Sequence, residues 1–190
     1  PAAGKARQRQ APDRQQGDKE AMQLVVRCDS VDGVVAAANQ GADVIIFGGE
    51  SYHHHPFGTK AWQAAVQAAH EQGAALWAGT PRIVREENRL VVQNELERAI
   101  TAGVDGIYAG AMAIFAMIAD LNITVPVRAD WSLNIFNSQA ARAYASLGCT
   151  AITASVEATL RQLKEMVCQS GCPIEAVVQG RAEMMVTESC

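Results

Sequence analysis

Five cysteines, a run of three histidines and a scatter of arginines and carboxylates are the residues of this 190-residue chain that could do chemistry. Thiolates are soft ligands suited to zinc or iron–sulfur clusters. Cys168 and Cys172, in CQSGC, have the look of a metal pair, but a lone CxxxC is a weak signal and incidental thiols explain it more simply. Histidines 53–55 lie in SYHHHPFG. In extended chain two of the three could face one ion, so a substrate or metal role stands beside a plain solvated loop. Hydrolytic signatures are missing. HEQGA at 70–74 lacks the second histidine of HExxH, and there is neither a GxSxG elbow nor a P-loop. A protease reading therefore has no recognisable nucleophile or zinc site.

Composition bounds the setting. With 49% hydrophobic and 19% charged residues the chain can fill one core. No stretch reaches the roughly 18–20 apolar residues of a membrane span, and nothing resembles a secretory signal, so a soluble, cytoplasmic protein without a membrane partner is expected. An odd number of cysteines without framework spacing suits reduced thiols. Residues 1–20 carry a net charge of +2 and the remainder −6, which is poor material for a general nucleic-acid surface. Residues 1–22 hold few large apolar side chains and read as a disordered linker, leaving 23–190 as the folded domain.

From Gln23 onward a single pattern repeats. A helix-like stretch ends at Gly41, Gly73, Gly103, Gly148 or Gly171, and a short apolar run follows. Glycine caps helix C-termini because it takes the left-handed conformation cheaply. Seven strands are predicted at 24–28, 43–48, 74–79, 105–109, 126–130, 151–155 and 174–179. Helices are expected near 31–40, 59–72, 87–102, 111–121, 136–147 and 157–169, capped by Asp29 or Ser30, Thr59, Asn137 or Ser138, and Ser155. Alternating strands and helices without a GxGxxG fingerprint predict an α/β fold, a (β/α) TIM-like barrel that is incomplete, with about seven parallel strands.

Such barrels place their chemistry at the C-terminal ends of the strands. Those ends are polar here: Arg27, Cys28 and Asp29; Gly48, Gly49 and Glu50; Pro81 and Arg82; Asp130 and Asn134; Ser155 and Glu157; Gln179, Gly180 and Arg181. Polar caps alone could account for Asp29 and Ser155. Asp130, Asn134, Arg181, Glu50 and Arg82 are the candidate catalytic residues. Cys28 and Cys190 lie at this face, while Cys149, Cys168 and Cys172 fall at the opposite end. Two thiolates do not complete a four-ligand metal site.

Several segments resemble the peptidase U32, or collagenase-like protease, family. GADVIIFGGESY is similar to its GAD-[IV]-Y-x-GG strand and turn, and GVDGIYAGAMA to its GVDG-[IV] strand. ADWSLNIFNSQAA resembles its S-x-N-x-x-N segment, and GRAEMMVTESC its H-G-R-x-x-L-M-V-[ST]-E-x-C stretch. With TPRIVREEN at 80–88, the likeness is to the second U32-type module of long members and covers about residues 23–190. It implies a [4Fe–4S] cluster held by four cysteines at the barrel mouth, with Cys190 as one ligand. Two departures stand out: Glu183 replaces another ligand, and Gln179 replaces the usual histidine. On this reading the chain is a piece of a longer metalloprotein that stops at a cluster ligand.

Three functions follow as expectations. The first is oxygen-independent hydroxylation of an RNA base or a related aromatic substrate, the activity of iron–sulfur members. Asp130, Asn134 and Arg181 would orient the substrate, with Glu50 and Arg82 across the mouth. The second is a peptidase acting on protein or peptide. The third is a non-catalytic scaffold. An incomplete barrel also leaves its first and last strands with unpaired edges, so a homodimer or aggregation through those edges is expected unless Met184–Cys190 covers the gap.

Overall fold

A computed structural model of the chain describes residues 22–49 and 56–180. Except for Met22, the expected linker lies outside the described residues, as do Glu50, histidines 53–55, Arg181, Glu183 and Cys190. Seven strands form one parallel sheet in sequence order. They are β1 (Val25–Cys28), β2 (Val44–Gly48), β3 (Ala75–Gly79), β4 (Gly106–Ala109), β5 (Val127–Ala129), β6 (Cys149–Thr153) and β7 (Ile174–Glu175). Between them run α1 (Val31–Asn39), α2 (Thr59–Glu71), α3 (Glu86–Ala102), α4 (Met112–Asp120), α5 (Ser138–Ser146) and α6 (Leu160–Gln169). The sheet curls until Arg27 on β1 meets Asp130, the residue after β5, across its concave face, and among the described residues β7 does not pair with β1. This is the expected incomplete TIM-like barrel.

The predicted turn glycines are where the chain needs them. Gly41, Gly73, Gly103, Gly148 and Gly171 all have φ between 73° and 94°. At Gly103, for example, the left-handed residue lets its N–H reach back to Ala99 and Ile100 as the helix ends. Ser30 and Asn137 cap their helices as expected, each accepting a backbone N–H. Two other caps are corrected. Gly58, not Thr59, precedes α2, and α6 is capped by Thr159 through a reciprocal pair with Gln162. Ser155 is used earlier, where its hydroxyl accepts the Glu157 N–H in the turn after β6. The last strand is shorter than 174–179 because β6 is its one partner among the described residues and their ladder ends at Thr153 opposite Glu175.

Three packed layers result. Outside the sheet, Ile45, Phe47, Leu76, Ala78, Ile107 and Ala109 meet α1–α4, with Trp62 buried among them. Ala129, Ile152 and Ala154 meet α5 and α6 in a second cluster. Inside the curl, Val44, Ile46, Trp77 and Tyr108 form a small third core. The Trp77 ring lies over Gly106, where an added Cβ would stand 2.4 Å from it. A larger residue at 106 would evict the indole.

Beyond this apolar floor the concave face becomes polar. The Arg128 guanidinium lies 4.3 Å from the Trp77 ring centre and donates to Glu175 at 2.9 Å and to the Tyr108 hydroxyl at 3.0 Å. Tyr108 and Thr153 in turn donate to Glu175, at 2.9 and 2.8 Å. Burial, and then the Glu175 charge, push the Tyr108 phenol well above its ordinary pKa, so it remains a donor. Glu175 is thereby saturated, and it anchors a strand only two residues long. Glu175→Ala should cost about 3 kcal/mol, since it strands a largely buried arginine. Tyr108→Phe should cost about 1 kcal/mol. Urea denaturation of both variants checks the order, and equal costs would contradict the anchoring role.

Candidate functional site

The C-terminal strand ends converge on a shallow mouth floored by glycine backbone. Gly48, Gly79 and Gly110 let neighbouring turns approach closely: a Cβ on Gly110 would lie 2.6 Å from the Thr80 carbonyl oxygen. Thr80 stitches this floor, donating to the Tyr108 carbonyl at 2.9 Å and accepting the Gly110 N–H at 2.8 Å. Ser132 donates to the Gly110 carbonyl at 2.8 Å. These bonds hold the β3, β4 and β5 ends at fixed spacing.

Asp130 sits at the centre. It is 4% exposed, and both carboxylate oxygens are engaged. One accepts the Trp131 N–H at 2.9 Å, capping a single 3-10 turn, Trp131–Leu133. The other accepts from Arg27 on β1 at 2.5 Å. So occupied, Asp130 is held in place by both donors. Beside it the Arg82 guanidinium stands 5.7 Å from the Trp131 ring centre, within cation–π range. Asn134 closes the 3-10 turn in the left-handed conformation, which asparagine tolerates better than most residues, and is exposed on the rim.

Asp130, Arg82 and Asn134 thus share the mouth as the strand-end argument required, whereas Glu50 and Arg181 lie outside the described residues. Arg27 was legible as a polar strand end but not as Asp130's partner. Trp131, Thr80 and the Arg128–Tyr108–Glu175 group were missed. One signal was available: Arg128 and Asp130 are two residues apart in the predicted strand 126–130, which puts them on the same side.

Cys28 is placed differently from its expected metal role. Its backbone ends β1 at the mouth, but its side chain joins the layer under α1 and is 9% exposed. A Cβ on Gly33 would lie 3.6 Å from its sulfur. Burial, and then the neighbouring Asp29 charge, raise its thiol pKa, which opposes the thiolate a metal needs. Cys149 and Cys172 pack at the other end of the sheet, and Cys168 is exposed on α6. Among the described residues no group of three or more His, Cys, Asp or Glu side chains could hold a metal ion. The described thiols therefore do not fit a four-cysteine cluster.

The fold and mouth define an α/β half-barrel of the TIM type with a polar, arginine-bearing C-terminal face. The model of peptidase family U32 matches residues 29–190, and the chain belongs to that family. Comparison with curated proteins gives no significant match. Among solved structures the U32 peptidase Mk0906 is similar at 13% identity and a TM-score of 0.65, over 86% of this chain and 72% of that one. CutC from Streptococcus agalactiae, assigned to copper homeostasis, gives 12% and 0.65 over 82% and 86%. Lysine-bound DHDPS from Cyanidioschyzon merolae gives 12% and 0.55 over 78% and 60%. At these identities the likeness is one of fold.

Among the described residues no helix is long and apolar enough to cross a membrane. One outcome follows for the cysteines. Cys28→Ala should leave the iron content of anaerobically purified protein unchanged, because that thiol faces α1. Loss of iron in this variant would contradict the placement.

Proposed function

We propose that this chain is the substrate-binding half-barrel of a U32-family enzyme, and that it takes a planar aromatic ring, an RNA base or a related aromatic, in the mouth. The observation that carries this reading is the Arg82–Trp131 pair beside the Arg27–Asp130 ion pair. Indole and guanidinium faces are the surfaces on which unstacked bases rest. The charged pair beside them can meet the polar edge of the ring.

The reaction we propose for the bound ring is the oxygen-independent hydroxylation that the sequence resemblance implies. An iron–sulfur group would have to draw its ligands from beyond the described thiols, with Cys190 the candidate from this chain. We therefore derive no step through it. What these residues supply is binding and orientation: Arg27 and Asp130 as a fixed polar edge, Arg82 and Trp131 as a stacking face. A peptidase would need an activated nucleophile. The mouth serine Ser132 instead donates to a backbone carbonyl, and the Ser155 hydroxyl accepts a backbone N–H.

Indole fluorescence tests the binding step. Trp62 and Trp77 are buried and Trp131 is partly exposed, so a stacked ligand quenches mainly Trp131. Short single-stranded RNA should quench and bind. Trp131→Ala should weaken that binding about tenfold or more, the worth of one stacked base. Binding indifferent to Trp131→Ala, or cleavage of denatured collagen by the same preparation, would overturn the reading.

A further inference from the structure

The cysteines that the mouth does not use are paired differently from their sequence spacing. CQSGC would couple Cys168 with Cys172, yet Cys168 is exposed on the last turn of α6 while Cys172 turns inward. There Cys172 meets Cys149, the first residue of β6. Its sulfur lies 3.8 Å from the Cys149 carbonyl oxygen, and both side chains pack in the cluster under α5 and α6.

Register explains the meeting. Ile152 pairs with Ile174, so stepping back two residues brings Cys172 level with Thr150, one residue beyond Cys149. The register between β5 and β6 shifts there, so that Val127 pairs with Cys149 while Arg128 pairs with Ala151. This irregularity turns the Cys149 side chain to the helix side, where Cys172 also lies. Adjacent strands run about 4.8 Å apart and the one-residue offset adds about 3.3 Å along the strand, so the two Cα atoms stand roughly 6 Å apart, inside the roughly 4.4–6.8 Å that a disulfide requires.

We propose that Cys149 and Cys172 form a redox-modification site, a dithiol that a low-molecular-weight disulfide converts into a bridge between β6 and the entry to β7. Cys172, the less buried of the two, attacks first through its minor thiolate fraction, since burial, and then the Glu175 charge, raise its pKa as well. It forms a mixed disulfide and expels one small thiol. Cys149 then gives up its proton and attacks the Cys172 sulfur, expelling the second small thiol. Two protein thiols are oxidised, one small disulfide is reduced to two thiols, and no other reactant is needed. Burial, and then the neighbouring Cys172, push the Cys149 thiol up to about 11, so the second step is the slow one. The bridge would clamp a two-residue strand otherwise held by its short ladder and by Glu175.

The test treats the intact folded chain with glutathione disulfide at neutral pH, followed by intact mass, thiol counting and peptide mapping. The expected product has lost the mass of two hydrogens, joins the Cys149 and Cys172 peptides, and forms equally well in Cys168→Ser. Cys149→Ser should stop at a glutathione adduct on Cys172. Should that variant fail to fold, wild type and Cys168→Ser decide alone. A bridge between any other two cysteines, a persistent adduct on wild-type Cys172, or modification confined to Cys168 would each overturn the proposal.

Discussion

Two charges, one on a three-residue strand and one just past its end, hold the inner face of this protein together. Arg128 and Asp130 leave β5 and its end on the same side. Asp130 reaches back to Arg27 on β1, and Arg128 reaches forward to Glu175 on β7. A closed barrel keeps its shape by hydrogen-bonding its last strand to its first. Here, among the described residues, the two edges are unpaired, and side-chain ion pairs span the concavity instead. Neither pair works as an isolated surface contact would. Asp130 is buried with both oxygens used, and Glu175 collects donors from three side chains.

The same constraint shapes the mouth. Because Asp130 is held by Arg27 and by the Trp131 N–H, the 3-10 turn that follows it presents the Trp131 ring to Arg82. The glycine floor and the Thr80 stitch set the spacing of the neighbouring turns. The proposed binding role rests on this fixed face. Family membership agrees with the architecture.

Much of the scaffold was legible in the sequence. Helix-ending glycines and the apolar runs behind them are local signals that located five of the seven strands, and the runs LVVRC and PVRAD located β1 and β5; all strands and helices fall within a few residues of the expected positions. Side-chain direction was harder. Strands covered on both sides read as continuous apolar runs, so the inward and outward positions of β1 cannot be told apart from VVRC alone. Cys28 was therefore assigned to the mouth, although its thiol faces α1. Cys149 needed a register shift to be placed, and a register shift leaves no mark in composition. The polar braces join residues 103 and 47 positions apart, beyond the reach of any local pattern. Their sole trace was the spacing of Arg128 and Asp130.

The most direct test of this account is a double-mutant cycle on Arg27 and Asp130, with unfolding free energies of wild type, Arg27→Ala, Asp130→Ala and the double variant. If this pair braces the open half-barrel, the cycle should give a coupling of about 1.5–3 kcal/mol, with the double variant losing much less than the sum of the single ones. A coupling near zero would mean that β1 and β5 are held by their neighbours alone, and would contradict the account.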